Sequence, residues 1–236
     1  MTAAKILAEL KTLGSESTKK TLLRHGAREP FFGVKAQDLK KIHKRIKTDY
    51  QLALDLYETG NSDAMYLAGL IADDAKMTKK DLERWVKAAY WYYLSEFAVP
   101  WVAAGSPHGH NLALKWIESK SENIAAAGWA TLRSLVSIKD DADLDLGELK
   151  KLLERVAKSI HQQTNRVRYV MNGFVIYVGS YVKSLTETAL EAAKKIGTVA
   201  VDVGDTACKV PDAAEYINKA KASGTIGKKR KSAKCI

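Results

Sequence analysis

The sequence predicts an all-α chain, a HEAT or armadillo-like α-α superhelix (solenoid) of antiparallel helix pairs, and three observations carry that reading. Apolar residues recur at helical spacing through most of the 236 residues. Only four prolines occur, and most of the 15 glycines fall between helical stretches. Roughly a dozen such segments, joined by short polar loops, form helix–turn–helix units about 35–45 residues long, the period of stacked helical repeats. An irregular globular bundle is the competing architecture, because the units share little sequence.

Residues 2–13 place Ile6, Leu7, Leu10 and Leu13 on one face, and Gly14-Ser15 ends the pattern. A short helix over 17–25 follows. Residues 26–33 form a loop, because Pro30 forces Glu29 out of the helical region. From Lys35 onward Leu39, Ile42 and Ile46 face one way, and Lys40, Lys41, Lys44, Arg45 and Lys47 the other. Helices are then predicted near 50–59, 62–73 and 78–90, the last opened by Thr78 with Asp81 three residues on. Further helices span 91–104, ended by Gly105-Ser106-Pro107, and 109–117, 122–138, 145–159, 165–182, 185–196 and 211–222. Only 198–203 alternates like a strand.

The chain divides into one repeat domain over 1–222 and a basic C-terminal tail over 223–236. With 46% hydrophobic and 28% charged residues, it can build a core. The net charge is +11. Lys228, Lys229, Arg230, Lys231 and Lys234 supply five of those charges unopposed, leaving +6 on the rest. A basic body with a basic tail favours a polyanionic partner; ordinary solubility charge is the alternative. Cys208 and Cys235 have no histidine at ligand spacing, so free thiols and no metal are expected. His108 and His110 lack a third ligand, and the aspartates at 140, 141, 143 and 145 lack the positions of a calcium loop. No leader pattern or membrane-length apolar run is apparent. A cytoplasmic monomer without cofactor is expected.

The segment Phe32-Gly33-Val34-Lys35, followed by Asp38-Leu39-Lys40-Lys41-Ile42, resembles a signature of the HEAT-like-repeat DNA alkylation repair proteins. Residues 91–100 (WYYLSEFAVP) resemble that family's catalytic helix. Residues 115–124 resemble the helix pair after it, and 166–182 a later helix presenting an aromatic after a glycine. The likeness covers about residues 5–200. It implies a basic concave face gripping duplex DNA. Active members are glycosylases that remove bulky or cationic N3- and N7-alkylated purines. They use a Trp and an Asp one helical turn apart, an Arg from the next repeat and a second Trp from a later one. Carried over by position, Glu96 stands for the Asp, Tyr92 for the first Trp and Phe174 for the second Trp. Gly128 stands where the Arg would be, and Arg133 is turned away around the helix. Lys35, Lys40, Lys41, Lys44, Arg166, Arg168, Lys228, Lys229, Arg230 and Lys231 are the candidate DNA-binding cations.

Each candidate also has a plain structural reading. Glu96 can be a solvated helix residue. Phe174, Trp85, Trp116 and Trp129 can be core. Arg166 and Arg168 stand in a first helical turn, the unfavourable end for cations, so they either contact phosphate or pair with an acid. Asn165 is the expected N-cap there, and Cys208 is expected to be buried. The expected function is that of a DNA-binding repair protein, an alkylpurine DNA glycosylase acting on duplex DNA, with a non-catalytic DNA-structure-binding protein as the alternative and a protein-interaction solenoid as the third class. Gly128 favours the second over the first.

Overall fold

A computed structural model describes residues 1–235. Thirteen α-helices follow in order: α1 (Ala3–Leu13), α2 (Glu16–Arg24), α3 (Ala36–Ile46), α4 (Tyr50–Glu58), α5 (Ser62–Ile71), α6 (Lys79–Ala88), α7 (Val99–Gly105), α8 (Gly109–Trp116), α9 (Glu122–Ile138), α10 (Leu146–Ser159), α11 (Asn165–Tyr181), α12 (Thr186–Ile196) and α13 (Ala213–Ala222). A π-helical turn, Leu94–Ala98, leads directly into α7. There is no strand among the described residues. Residues 198–203 instead form an extended loop whose Asp202 backbone bonds to the Asn165 side chain, not to a neighbouring strand.

Short polar side chains set the helix starts. Ser15, Asp49, Asp145 and Asp212 each accept a backbone N–H of the first turn, and Thr78 with Asp81 forms a capping box. Helices then pair in sequence, α4 with α5, α6 with α7, α8 with α9, α10 with α11 and α12 with α13. The second members contact one another in series from α5 through the π-turn, α7, α9 and α11 to α13. That is the expected repeat array. Trp85, Trp116, Trp129 and Phe174 are fully buried between its rows, and Trp129 packs edge-on against Phe174.

The Phe-Gly-Val loop has a structural cause. One buried carboxylate, Asp63 at the start of α5, accepts the backbone N–H groups of Phe32 (2.6 Å), Gly33 (3.1 Å) and Val34 (3.3 Å). Gly33 has φ +77°, and a Cβ there would lie 2.7 Å from the Lys19 nitrogen, so only glycine fits.

The basic tail is docked, and two of its charges, unopposed within the tail, are paired with aspartates of the body. The tail runs along the C-terminal ends of α5, α9 and α11, members of the second row, called the inner row below. Gly227 donates to the Ser180 carbonyl of α11, and Arg230 N–H to the Ser137 carbonyl of α9. Lys229 Nζ donates to Val136 O at 2.9 Å and pairs with Asp141 at 2.8 Å. Lys234 Nζ bonds Ala72 O at 2.7 Å, beyond α5, and pairs with Asp74 at 2.8 Å. The last carbonyls of a helix lack partners and carry its negative dipole end, so a row of helix C-termini attracts a cationic strand. Deleting residues 228–236 should therefore lower the melting temperature by about 5–10 °C, from the roughly 2–4 kcal/mol held in two part-buried charge-assisted contacts. An unchanged melting temperature in calorimetry would show that the tail is not held in solution.

Candidate functional site

The inner row carries a cleft of about 470 Å³. Its walls come from distant parts of the array: the end of α2 with Arg24 and Arg28, the aromatic run Tyr90–Tyr92, the starts of α9 and α11, and the loop at 202–208.

Beneath the cleft, bonded to the lining residue Arg166, lies Glu96, in the middle of the π-turn. Pro100 explains that turn. It has no N–H for the Glu96 carbonyl four residues back, and its ring crowds that carbonyl, so the helix widens by one residue. Arg133 of α9 supplies a donor instead, Nη2 to Glu96 O at 3.2 Å. The widened turn directs the Glu96 side chain inward, where it has no solvent exposure.

Arg166, in the first turn of α11, meets that carboxylate bidentately, Nε to Oε1 at 2.6 Å and Nη2 to Oε2 at 2.7 Å. Its guanidinium lies between two tyrosine rings, 4.4 Å from the Tyr92 centroid and 4.6 Å from that of Tyr169. The unfavourable dipole is compensated: Glu122 accepts the Arg166 backbone N–H at 2.9 Å, so acids flank this helix start. Burial pushes the Glu96 carboxyl up from its ordinary range, against the pull of Arg166 and Arg133. Burial would lower Arg166, but its bonds to Glu96 outweigh that and hold it protonated. Burial also raises the Tyr92 and Tyr169 hydroxyls, which stay neutral.

Of the three candidate catalytic residues, the structure brings two together. Tyr92 lines the cleft and Glu96 lies beneath it, joined through the Arg166 guanidinium that bonds the carboxylate and rests on the Tyr92 ring; Glu96 is not the solvated residue of its plain reading. Phe174 is fully buried against Trp129 and does not line the cleft. Arg166 makes the ion pair, so its charge is not left for a phosphate. Arg168 points elsewhere, under the 197–212 loop, near the Asn165 amide. Asn165 does not cap α11, since its side chain is committed to Asp202; Thr164 occupies that position. Cys208 is exposed, not buried, and Cys235 is exposed as well. Lys35, Lys41 and Lys44 are exposed and Lys40 half-buried, with Lys41 paired to Asp38. Lys228 and Lys231 are exposed, whereas Lys229 is committed to the tail contacts and Arg230 is half-buried.

Two positional inferences need correction. Gly128 is not an empty arginine site: a Cβ there would lie 2.6 Å from the Ile117 nitrogen and 2.9 Å from Ala113 O, so it is the contact point of α8 and α9. Arg133, though turned from Gly128 on its own helix, reaches Glu96 across the helix pair. Tyr169, Arg24 and Arg28 were not singled out by sequence. Tyr169 has a signal in its spacing, one turn after Arg166 on α11, whereas Arg28 lies in the loop beyond α2, where spacing carries none. Among the described residues no group of His, Cys, Asp and Glu is placed to hold a metal ion. None of their helices is long and apolar enough to cross a membrane.

Residues 6–217 match a family model described as DNA alkylation repair enzyme. An uncharacterized protein of Listeria innocua is 36% identical, over 90% of this chain and 94% of its own. One from Listeria monocytogenes is 37% identical, with the same coverage. A solved structure with a TM-score of 0.89 and 38% identity, covering 98% of both chains, is described as a new family of proteins related to the HEAT-like repeat DNA glycosylases with affinity for branched DNA structures.

Proposed function

The chain belongs to the DNA alkylation repair enzyme family, and on that premise we propose that it is a DNA-binding protein that holds branched DNA on its inner row and leaves glycosidic bonds intact. One observation carries the second half. The carboxylate that the family resemblance assigns to the sugar is already neutralised by Arg166 and sealed from solvent. A glycosylase of this kind needs uncompensated negative charge where positive charge develops in the transition state, and a closed bidentate pair presents none. The first half is supported by the affinity for branched DNA ascribed to the structurally similar protein, and by the cations Arg24, Arg28, Lys35 and Lys44, which make no ion pair among the described residues.

Glycosylase activity on alkylated purines is the second reading, favoured by Tyr92 and Glu96 keeping the helical spacing of the active pair. A titration beside an excision assay separates the two. The wild-type protein is expected to bind a three- or four-way junction more tightly than linear duplex of equal length. If about four cations meet phosphates, log K should fall by about 3–4 per tenfold rise in salt. No 3- or 7-alkylpurine should appear from treated duplex. Measurable base release would overturn the non-excising reading, and salt-insensitive or absent binding would favour a protein-interaction scaffold.

A further inference from the structure

The loop over 197–212 arches over the start of α11. Its roots are pinned to α11 by two amides. Asn165 bonds Asp202 through both its amide atoms, at 2.8 and 2.7 Å, and Asn172 donates to Pro211 O at 2.8 Å. Its tip reaches the far wall, where a Cβ on Gly204 (φ +75°) would lie 2.5 Å from Arg24 O. The cleft beneath is thus bounded below by rings and above by backbone. Its 470 Å³ falls within the range of small-molecule sites, roughly 300–1,000 Å³.

The groups left free in it are of three kinds. Arg166 spends Nε and Nη2 on Glu96, while Nη1 makes no hydrogen bond among the described residues, and 18% of the side chain stays open. With its charge cancelled, this donor suits a neutral acceptor, such as a base carbonyl or ring nitrogen, better than a phosphate. Asn123 lines the cleft with an amide that makes no hydrogen bond among the described residues, both donor and acceptor in one plane. The hydroxyls of Tyr92 and Tyr169 are likewise free among the described residues, and their rings form the floor. At the rim Arg24 and Arg28 are exposed and make no ion pair among the described residues.

We infer that this cleft is a subsite for one unpaired nucleotide of bound DNA, its base over the tyrosine floor and its phosphate at Arg24 and Arg28. The two carboxylates in the lining, Glu122 and Asp202, accept the Arg166 and Gly204 backbone N–H groups, and the remaining neutral polar groups inside and free cations at the rim match the division of a nucleotide into base and phosphate. A paired base has its faces covered by stacking and its pairing edge occupied. An unpaired one offers a π-face and that edge together. The subsite rests on the reading of the inner row as a DNA-binding face, and it would make strand separation at a branch point the recognised feature.

Cys208 provides a local probe, since its thiol is exposed and lines the cleft, while Cys235 is exposed outside it. The full chain is titrated by anisotropy with two junctions of equal sequence, one fully paired and one with a single unpaired 2-aminopurine at the branch. Alkylation rates of both thiols are measured alongside. The expected result is about tenfold tighter binding of the unpaired junction. The 2-aminopurine fluorescence should be quenched, and Cys208 but not Cys235 slowed several-fold. Asn123→Ala and Tyr169→Leu should each reduce the preference for the unpaired junction towards parity. Equal affinities, unquenched fluorescence and unprotected Cys208, with the paired junction still bound, would overturn the subsite and leave the DNA-binding reading standing. No binding of either junction would overturn both.

Discussion

Replacing Arg166 with methionine is expected to lower the melting temperature by about 8–15 °C, the effect of roughly 3–5 kcal/mol in a domain of this size. The size follows from the burial of Glu96, whose side chain has no solvent exposure and no other cation at its carboxylate. Removing one partner leaves an uncompensated buried charge, which costs far more than the intact pair contributes. The sign of the pH dependence follows as well. Burial already raises the folded-state Glu96 carboxyl above its unfolded value, and the variant raises it further. The native state then binds more protons than the unfolded one above the ordinary carboxyl range, so stability falls as pH rises through that window. The deficit of Arg166→Met should be smallest near pH 5 and largest near pH 8. The double variant Glu96→Gln with Arg166→Met should recover most of the loss. If the single variant melts like the wild type at pH 8, the ion pair does not exist in solution.

Gly128→Arg is expected to abolish folding, although the family resemblance alone would have it raise activity. Restoring a guanidinium at an aligned position ignores what now fills the space. A Cβ at 128 lies inside contact distance of the Ile117 nitrogen and its Cγ2, which cannot move without separating α8 from α9. Even Gly128→Ala should cost about 1–3 kcal/mol through overpacking. Circular dichroism and soluble yield are the readouts. A soluble Gly128→Arg protein with native melting would mean that the two helices are not packed as described.

The helices were legible because their causes are local. The Glu122–Ile138 helix has the predicted bounds, and the Thr78–Asp81 box was read from four residues. The array was legible from helix number and spacing. What escaped depends on contacts between elements. Arg133 was dismissed by its angle from Gly128 on one helix, while its partner carbonyl is on another, freed by Pro100. The tail looked like a solvated charge run because its partners are backbone carbonyls, which no side-chain pattern announces. Cys208 was assigned to the core from its type, yet its loop is held by amide bonds from α11 and its valines pack on the core, leaving the thiol exposed.

The docked tail also changes how the array should come apart. In a stack where each repeat touches only its neighbours, stability is a sum of local terms and the ends fray independently. Here Lys234 is bonded to Ala72 across 162 residues, and the same strand meets α9 and α11 on the way. Opening the first repeats therefore means peeling a strand from the later ones, which couples terms that would otherwise melt separately. Such an array should unfold as one unit, with hydrogen-exchange protection at the ends of α5 and α11 rising and falling together.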